Sequence, residues 1–478
     1  MGALSETPAA VPAAAPNAAA PVEIDLDLIR RFGLAGPRYT SYPTADRFGE
    51  RFDGALQAEW LGRRQVGALR QPLSVYVHIP FCQTVCYYCA CNKVVTRERG
   101  RSTEYVDYLL REIDLAAPHL GTDRRTTQLH FGGGTPTYLL ESDMRRLIGR
   151  LDEVFEIDPR AERAIELDPR TAPPATVALL ASLGFNRASL GVQDFDPAVQ
   201  EAVHRIQPAE TTMATLAAAR AHGFESINFD LIYGLPRQTV SSFRRTLDRV
   251  LEALPDRIAL YNYAHLPERF KPQRRINAAE LPDGETRLAI FLQAMRALTD
   301  AGYVYIGLDH FARPDDELAV AQRVGRLHRN FQGYSTRADC DLLALGVSAI
   351  SKIGPTYSQN ARELPEYYRL IDAGRLPVVR GMTLSRDDLA RRAIIMALMC
   401  HGEVSMEAIE LAYLVDFRAM FAREMAEIDR LAGLGLVRVD DGWIAVTPRG
   451  RFFVRVVAMV FDRYLRESAT TARYSKVV

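Results

Sequence analysis

Four of the chain's six cysteines fall within one short stretch, Cys82-Gln-Thr-Val-Cys86-Tyr-Tyr-Cys89-Ala-Cys91. The first three are spaced C-x3-C-x2-C, and three thiolates at that spacing can hold three irons of a [4Fe–4S] cube. The fourth iron stays open. It can chelate a small molecule through an amine and a carboxylate, as the methionyl end of S-adenosylmethionine (SAM) would. An electron passed to that ligand breaks its S–C5′ bond and releases a 5′-deoxyadenosyl radical. The cofactor brings the chemistry and the protein aims it. A structural zinc site of four thiolates is the competing use. Such sites draw their ligands from two separated pairs, and no second pair follows: Cys340 and Cys400 stand alone and read as core cysteines. Cys91 reads as a fourth member of the motif or as a buried thiol.

Around this stretch the pattern alternates between strand-like apolar runs and amphipathic helices. The strands are expected at Ser74–Ile79, Gln128–Phe131, Arg163–Leu167, Arg187–Val192, Ser226–Leu231, Ile258–Ala264 and Tyr303–Leu308. Helices are expected at Thr103–Ala117, Ser142–Phe155, Val240–Leu251 and Gly284–Ala301. Repeated βα units imply a parallel sheet with right-handed crossovers, and in βα barrels the site lies at the C-terminal strand ends. The residues just past the runs are the cysteine loop, Gly132-Gly-Gly-Thr135, Glu166-Leu-Asp168, Gln193-Asp194, Asp230 and Tyr263-Ala-His265. Nearly every strand end carries a polar, glycine or cysteine residue, which a purely structural sheet does not need. Glycines let a backbone approach a ligand closely. No Gly-Lys-Ser/Thr follows them, so this is not a phosphate-binding P-loop. Acidic residues at strand ends can hold ribose hydroxyls or an ammonium group; Glu166 and Asp230 are the candidates, and salt-bridged carboxylates are the alternative.

The stretch closely resembles the radical SAM superfamily, and its flanks are similar to the oxygen-independent coproporphyrinogen III oxidases. The resemblance takes in Pro37–Thr44, Gly132–Thr137, Gly191–Phe195, Asp230–Pro236, Asn262–Pro267, Asp309–Asp316 and His328–Gly333. It covers about residues 26 to 478. It implies a partial (β/α)6-type barrel of parallel strands, with Cys82, Cys86 and Cys89 as ligands of the cluster. Two SAM molecules are expected. Tyr76, Tyr88, Ala90, Gly133, Gly134, Thr135, Glu166 and Ile350 match positions around the first, and Gln193, Arg205, Asp230 and Ala264 positions around the second. Cys91 and Tyr76 are the candidate catalytic residues. Ala90 stands where the family commonly has glycine and Tyr88 where it often has phenylalanine. The implied reaction takes coproporphyrinogen III to protoporphyrinogen IX by oxidative decarboxylation of the ring A and B propionates to vinyl groups. A low-potential electron donor such as flavodoxin or ferredoxin is implied. The rivals are a haem chaperone of the same superfamily, which usually lacks the fourth cysteine and the Pro37–Thr44 block, and a metal-dependent DNA-binding regulator.

A substrate with four propionates needs buried cations and donors. Arg38, Arg313, Arg329 and Gln332 are the candidates, with surface pairing of Arg313 to Asp315 as the alternative. The remaining stretches frame these. Residues 1–22 are Ala/Pro-rich and read as a disordered tail, with neither the basic nor the apolar part of a signal peptide. Residues 23–70 read as a substrate lid with helices at Asp25–Phe32 and Gly54–Leu69, residues 71–375 as the catalytic barrel, and residues 376–478 as a mainly helical capping domain. In that last domain Leu436–Val439 and Trp443–Val446 form a winged-helix-like hairpin, and Arg449, Arg451 and Arg455 read as solvated. Apolar residues make up 48% and charged residues 25%, with a formal charge of zero. These values describe an ordinary globular chain with no field drawing it to nucleic acid or an anionic membrane. No apolar run reaches membrane-spanning length. A cytoplasmic monomer is expected.

Overall fold

The computed structural model describes residues 26–32, 36–64, 71–337 and 340–467. The expected tail, at 1–22, lies outside them. Six strands alternate with helices through the first part of the chain: β1 (Leu73–Ile79), β2 (Arg125–Gly133), β3 (Glu156–Leu167), β4 (Arg187–Gln193), β5 (Ser226–Tyr233) and β6 (Arg257–Asn262). Each pairs with the next in parallel register. Side chains alternate across a strand, and the sequence uses that period to give the sheet two different faces. Val75, Val77, Leu129, Phe131, Ile165, Leu190, Phe229 and Leu260 are fully buried in one apolar core under the helices. Their neighbours at odd offset, including His130, Glu162, Glu166, Ser189, Asn228, Asp230 and Tyr261, line a cavity of about 150 Å³ on the concave face. The barrel bore is therefore polar, a face that apolar packing leaves available to bind something.

The chain continues through β7 (Val304–Gly307), β8 (His310–Ala312), β9 (His328–Asn330), β10 (Gly333–Ser335), β11 (Asp341–Leu345), β12 (Ile350–Ile353), β13 (Thr356–Asn360) and β14 (Val378–Thr383). The twelve-stranded sheet runs β14-β13-β12-β11-β1-β2-β3-β4-β5-β6-β8-β7. It stays open, which fits the expected partial barrel. Two features depart from the expectation. The seventh strand, at Tyr303–Leu308, does not pair with β6: β8 lies between them, antiparallel to both, because only a two-residue turn separates β7 from β8. On the other side β11 joins β1 in parallel register, extending the parallel part past the six βα units.

The expected domain boundary at residue 376 falls too early. β14 pairs antiparallel with β13 and belongs to the main sheet. Gly49 exchanges backbone hydrogen bonds of 2.8 and 2.9 Å with Gly381 on β14, so the N-terminal segment covers that edge. Beyond it come helices from Arg386–His401 onward and a three-stranded wing, with β15 (Glu403–Ser405) and β16 (Val437–Asp440) flanking β17 (Trp443–Val446). Asp441 and Gly442 turn the hairpin with φ of 44° and 81°, the geometry of a type I′ turn. A second apolar core joins three regions that are distant in sequence. It includes Leu28, Tyr39 and Tyr42 from the N-terminal segment, Ile306 and Ala312 from the sheet edge, and Ile394, Leu398, Phe417 and Val457 from the C-terminal domain.

Arg455 corrects a further expectation. It is 5% exposed and donates to the carbonyls of Pro37, at 3.0 Å, and Gly36. Packing against the N-terminal segment removes it from solvent.

Candidate functional site

The cysteine loop leaves the C-terminal end of β1. A short parallel bridge between Phe81–Cys82 and Val94–Val95 pins it at both ends. Tyr87 N donates to Val203 O at 2.9 Å and Cys89 N to Cys86 O at 3.2 Å. Beside it, Gly134 N donates to Ile79 O at 2.8 Å and Thr135 N to Phe81 O at 2.9 Å. The glycines are a packing requirement. A Cβ on Gly132 would come within 2.7 Å of the Glu166 carboxylate, and one on Gly134 within 2.7 Å of the Pro80 carbonyl. Gly133 has a φ of +115°, and a Cβ there would meet the His78 imidazole at 2.5 Å.

Cys82, Cys86, Cys89 and Cys91 line one cavity of about 370 Å³ at the strand ends. Tyr88, Gly133, Gly134, Thr135, Glu166, Gln193, Arg205 and Asp230 line it too. Cys91 is exposed rather than a buried thiol, because its segment passes along the cavity's outer rim. Donors point at the sulfurs. Thr135 Oγ1 lies 3.5 Å from Cys82 Sγ, Arg205 Nη1 3.5 Å and Arg170 Nη2 3.6 Å from Cys86 Sγ. Among the described residues no three His, Cys, Asp or Glu side chains converge closely enough to hold a single metal ion. The cysteines instead surround a space larger than an ion, with cationic donors turned to the sulfurs. This arrangement fits a [4Fe–4S] cluster better than zinc.

Glu166 and Asp230 face the same cavity in different states. Burial pushes the Glu166 carboxyl up, but His130, at 3.5 Å, and the Gly133 N–H, at 2.9 Å, outweigh it and hold the group below its ordinary value. Asp230 is pushed up to about 7 by burial; the hydrogen bonds from Ser189 (2.8 Å) and Asn228 (2.9 Å) offset it only partly, and nearby Glu166 adds repulsion. One carboxylate is thus held anionic and the other keeps its proton up to about pH 7, from environment alone.

Arg170, His78 and His130 escaped the sequence reading. Asp168 receives Arg170 at 2.6 Å and Arg205 at 3.1 Å, and aims both arginines at Cys86. Tyr76 does not line the cavity. Its hydroxyl lies 3.2 Å from His78 Nδ1 and its ring stacks on His130 at 5.6 Å, so it backs the His130–Glu166 pair. His78 and His130 could have been found from the period of two, which puts them on the same face as Tyr76 and Glu166. Ala90, Ala264 and Ile350 do not line the cavity either. Ile350 packs beside Phe48, Tyr357 and Leu384 across the sheet.

Of the expected substrate residues, the structure brings three together. Arg38 pairs with Asp309 and lies over the Tyr261 ring at 5.6 Å. Arg329 donates to Arg38 O at 3.3 Å and lies over Tyr334 at 4.7 Å. Gln332 lines the polar bore, and both its side-chain heteroatoms are buried with no hydrogen-bond partner. Arg313 is elsewhere. Its side chain is 43% exposed and pairs with Asp315 at 3.2 Å, because the turn after β8 points it outward. His310, also on the bore, is held well below its ordinary value by burial and then by Arg329 and Arg38.

Comparison with known proteins agrees with this geometry. The chain matches the family model of the radical SAM superfamily over residues 76–250 and that of the HemN C-terminal domain over residues 384–453. It is 51% identical to an oxygen-independent coproporphyrinogen III oxidase of Pseudomonas aeruginosa over 95% of this chain and 98% of the relative. It is 48% identical to the protein of the same description in Escherichia coli K12, over 96% of this chain and 99% of the relative. A solved structure of the coproporphyrinogen III oxidase HemN from Escherichia coli, described as a radical SAM enzyme, superposes with a TM-score of 0.88 at 46% identity. The match covers 93% of this chain and 99% of that one.

Proposed function

The chain belongs to the oxygen-independent coproporphyrinogen III oxidases, and from that premise we propose how its residues divide the work. The reaction converts two propionates of coproporphyrinogen III to vinyl groups. Each propionate loses CO2, a hydrogen atom from its β-carbon and one further electron, and the product is protoporphyrinogen IX of haem biosynthesis. A [4Fe–4S] cluster and SAM, when bound, supply a 5′-deoxyadenosyl radical that takes the hydrogen atom.

Cys82, Cys86 and Cys89 are the proposed cluster ligands. Thr135, Arg170 and Arg205 turn donors toward two of their sulfurs. The Gly133–Thr135 backbone and Tyr88 bound the first SAM site. The Glu166 carboxylate, held anionic by His130 and the Gly133 N–H, suits an ammonium group. Asp230, which keeps its proton up to about pH 7, suits hydroxyls that both donate and accept. With Gln193 and Arg205 on the same cavity it suits a second SAM, so two SAM molecules are proposed; Ala264, off that cavity, is left out. Cys91 at the cavity's rim and Tyr76 behind His130 are the proposed catalytic candidates. Arg38, Arg329 and Gln332 take substrate carboxylates; Arg313, exposed and paired, is left out of that set.

The segment from 26 to 64 acts as a lid, the sheet through Thr383 as the catalytic barrel and the rest as a cap. Closing the bore this way keeps water from a reactive intermediate. We further propose a cytoplasmic monomer that draws electrons from a flavodoxin- or ferredoxin-like donor, with no role for nucleic acid or a membrane. Among the described residues no helix is long and apolar enough to cross a membrane.

The observation that carries the proposal is the single cavity lined at once by the cysteine loop, Gly133–Thr135, Glu166 and Asp230. The test is anaerobic. The protein is reconstituted with iron and sulfide and given SAM, a strong reductant and coproporphyrinogen III, and the oxidised porphyrins are then chromatographed. A product two carboxylates poorer, formed with 5′-deoxyadenosine, is expected. Deoxyadenosine without decarboxylation would move the substrate elsewhere.

A further inference from the structure

A small polar cavity lies where the N-terminal segment, the sheet edge and the C-terminal domain meet β5, β6 and the helix Gly284–Asp300. It has a volume of about 50 Å³ and is lined by Arg38, Tyr233, Asn262, Asp309 and Arg455 with apolar neighbours. A cavity needs about 10–15 Å³ of such space to hold one water, so this one admits a carboxyl group. It shares no lining residue with the cysteine cavity or with the bore. Tyr261 is on the bore wall, and Arg38 lies against its ring.

The charge arrangement at this cavity calls for an anion. Arg455 is 5% exposed and Arg329, which donates to the Arg38 carbonyl, is 3% exposed. With Arg38 they bring three guanidinium groups together, and Asp309 is the one carboxylate among the lining residues. Burying cations close to one another is costly unless anions accompany them. The strain registers on Arg455, which burial and then the Arg38 charge pull down to about 9. Asn262 adds a second sign of a missing ligand: its Oδ1 is buried with no hydrogen-bond partner. Turning that amide by 180° presents Nδ2 to the cavity instead.

We propose that Arg455, reaching from the C-terminal domain, joins Arg38 and Asn262 to bind one of the propionate carboxylates that the reaction leaves intact. This rests on the porphyrinogen reading above and extends it. A carboxylate seated here is walled off from the cysteine loop, so it anchors the macrocycle and does not react. The site also gives the C-terminal domain a direct part in substrate choice, beyond covering the bore.

The test uses the full-length, cluster-loaded protein under anaerobic conditions. Coproporphyrin III, the oxidised and unreactive form, is titrated by fluorescence beside its diester methylated on the two non-reacting propionates. The wild type should prefer the free acid by about tenfold, the size of one charge-assisted contact. Arg455→Gln should lose most of that preference and Arg455→Lys should keep much of it. Asn262→Asp leaves the Arg455 backbone contacts in place and should weaken the free acid more than the diester. Melting temperature and 5′-deoxyadenosine formation without porphyrin verify that each variant is folded and loaded. If folded Arg455→Gln and Asn262→Asp both keep the full wild-type preference, the subsite is refuted. Failure of the wild type to decarboxylate coproporphyrinogen III would instead overturn the functional reading, and the binding titration separates the two failures.

Discussion

Replacing Asp168 by Asn tests the electrostatic frame of the cysteine loop. Asp168 is 11% exposed and receives Arg170 at 2.6 Å and Arg205 at 3.1 Å, whose side chains are 20% and 7% exposed. Removing one partner of a buried pair costs about 3–5 kcal/mol when nothing replaces it. Asn keeps an acceptor for the Arg170 N–H, now bonded to Asp168 at 3.1 Å, and Arg205 keeps its 2.6 Å bond to Gly191 O. The loss should therefore lie near the lower end, about 2–3 kcal/mol. Most domains have more stability than that, so the variant folds. The pH dependence follows from linkage. Burial raises the Asp168 pKa but the two arginines outweigh it, so the folded value lies below the ordinary one. The stabilisation is then complete above the unfolded carboxyl pKa of about 4 and is lost as pH falls through the lower folded value. Urea unfolding of the cluster-free protein should show a constant gap between wild type and Asp168→Asn from pH 6 to 8 that narrows below about pH 4. Iron and sulfide content after reconstitution should also fall, since both arginines lose their aim at Cys86. A gap below about 0.5 kcal/mol at pH 7 would match an ordinary surface pair and refute the reasoning.

Other outcomes follow from single contacts. Cys89→Ser should abolish the cluster's visible absorption and all SAM cleavage; retained cleavage would show the ligand assignment wrong. Gly134→Ala forces a Cβ against the Pro80 carbonyl at 2.7 Å, a backbone clash that should cost about 1–3 kcal/mol and lower both melting temperature and cluster retention. Asp230, raised to about 7, should make the cluster-free wild type lose stability relative to Asp230→Asn as pH rises from about 4 through 7. The folded state holds that proton longer than the unfolded state does, and parallel unfolding curves at pH 5 and 8 would contradict it. Glu112 is 3% exposed and accepts from Gly346 N, Asn360 and Tyr367 at 2.6–2.7 Å. Glu112→Ala leaves three buried donors unmet and should lower stability by about 3 kcal/mol or more, measured by chemical unfolding.

The sequence and the structure divide the account along a physical line. Local pattern was enough for the six parallel strands, because the alternation in β1 to β6 is set by which residues apolar packing demands. It was enough for the cysteine loop too, since C-x3-C-x2-C is a spacing within one loop. The strand-end reading marked Gly133, Glu166, Gln193 and Asp230 for the same reason: each strand brings its own last residues to the sheet's end. What adjacency in sequence does not encode had to come from folding. Arg170, beside Asp168 on one loop, and Arg205 on another meet Cys86 on a third. Arg313 and Arg329 look alike in the chain, yet one is exposed on a turn and the other is buried on β9 against Tyr334 and the Arg38 carbonyl. Arg455 reads as a surface arginine at a helix start. Only the packing of the C-terminal helices on the N-terminal segment buries it beside Arg38, hundreds of residues away. Motif chemistry and strand periodicity are properties of short stretches, so the sequence by itself determined them. The pairing of distant charges depends on burial, and burial is decided only when the tertiary structure closes.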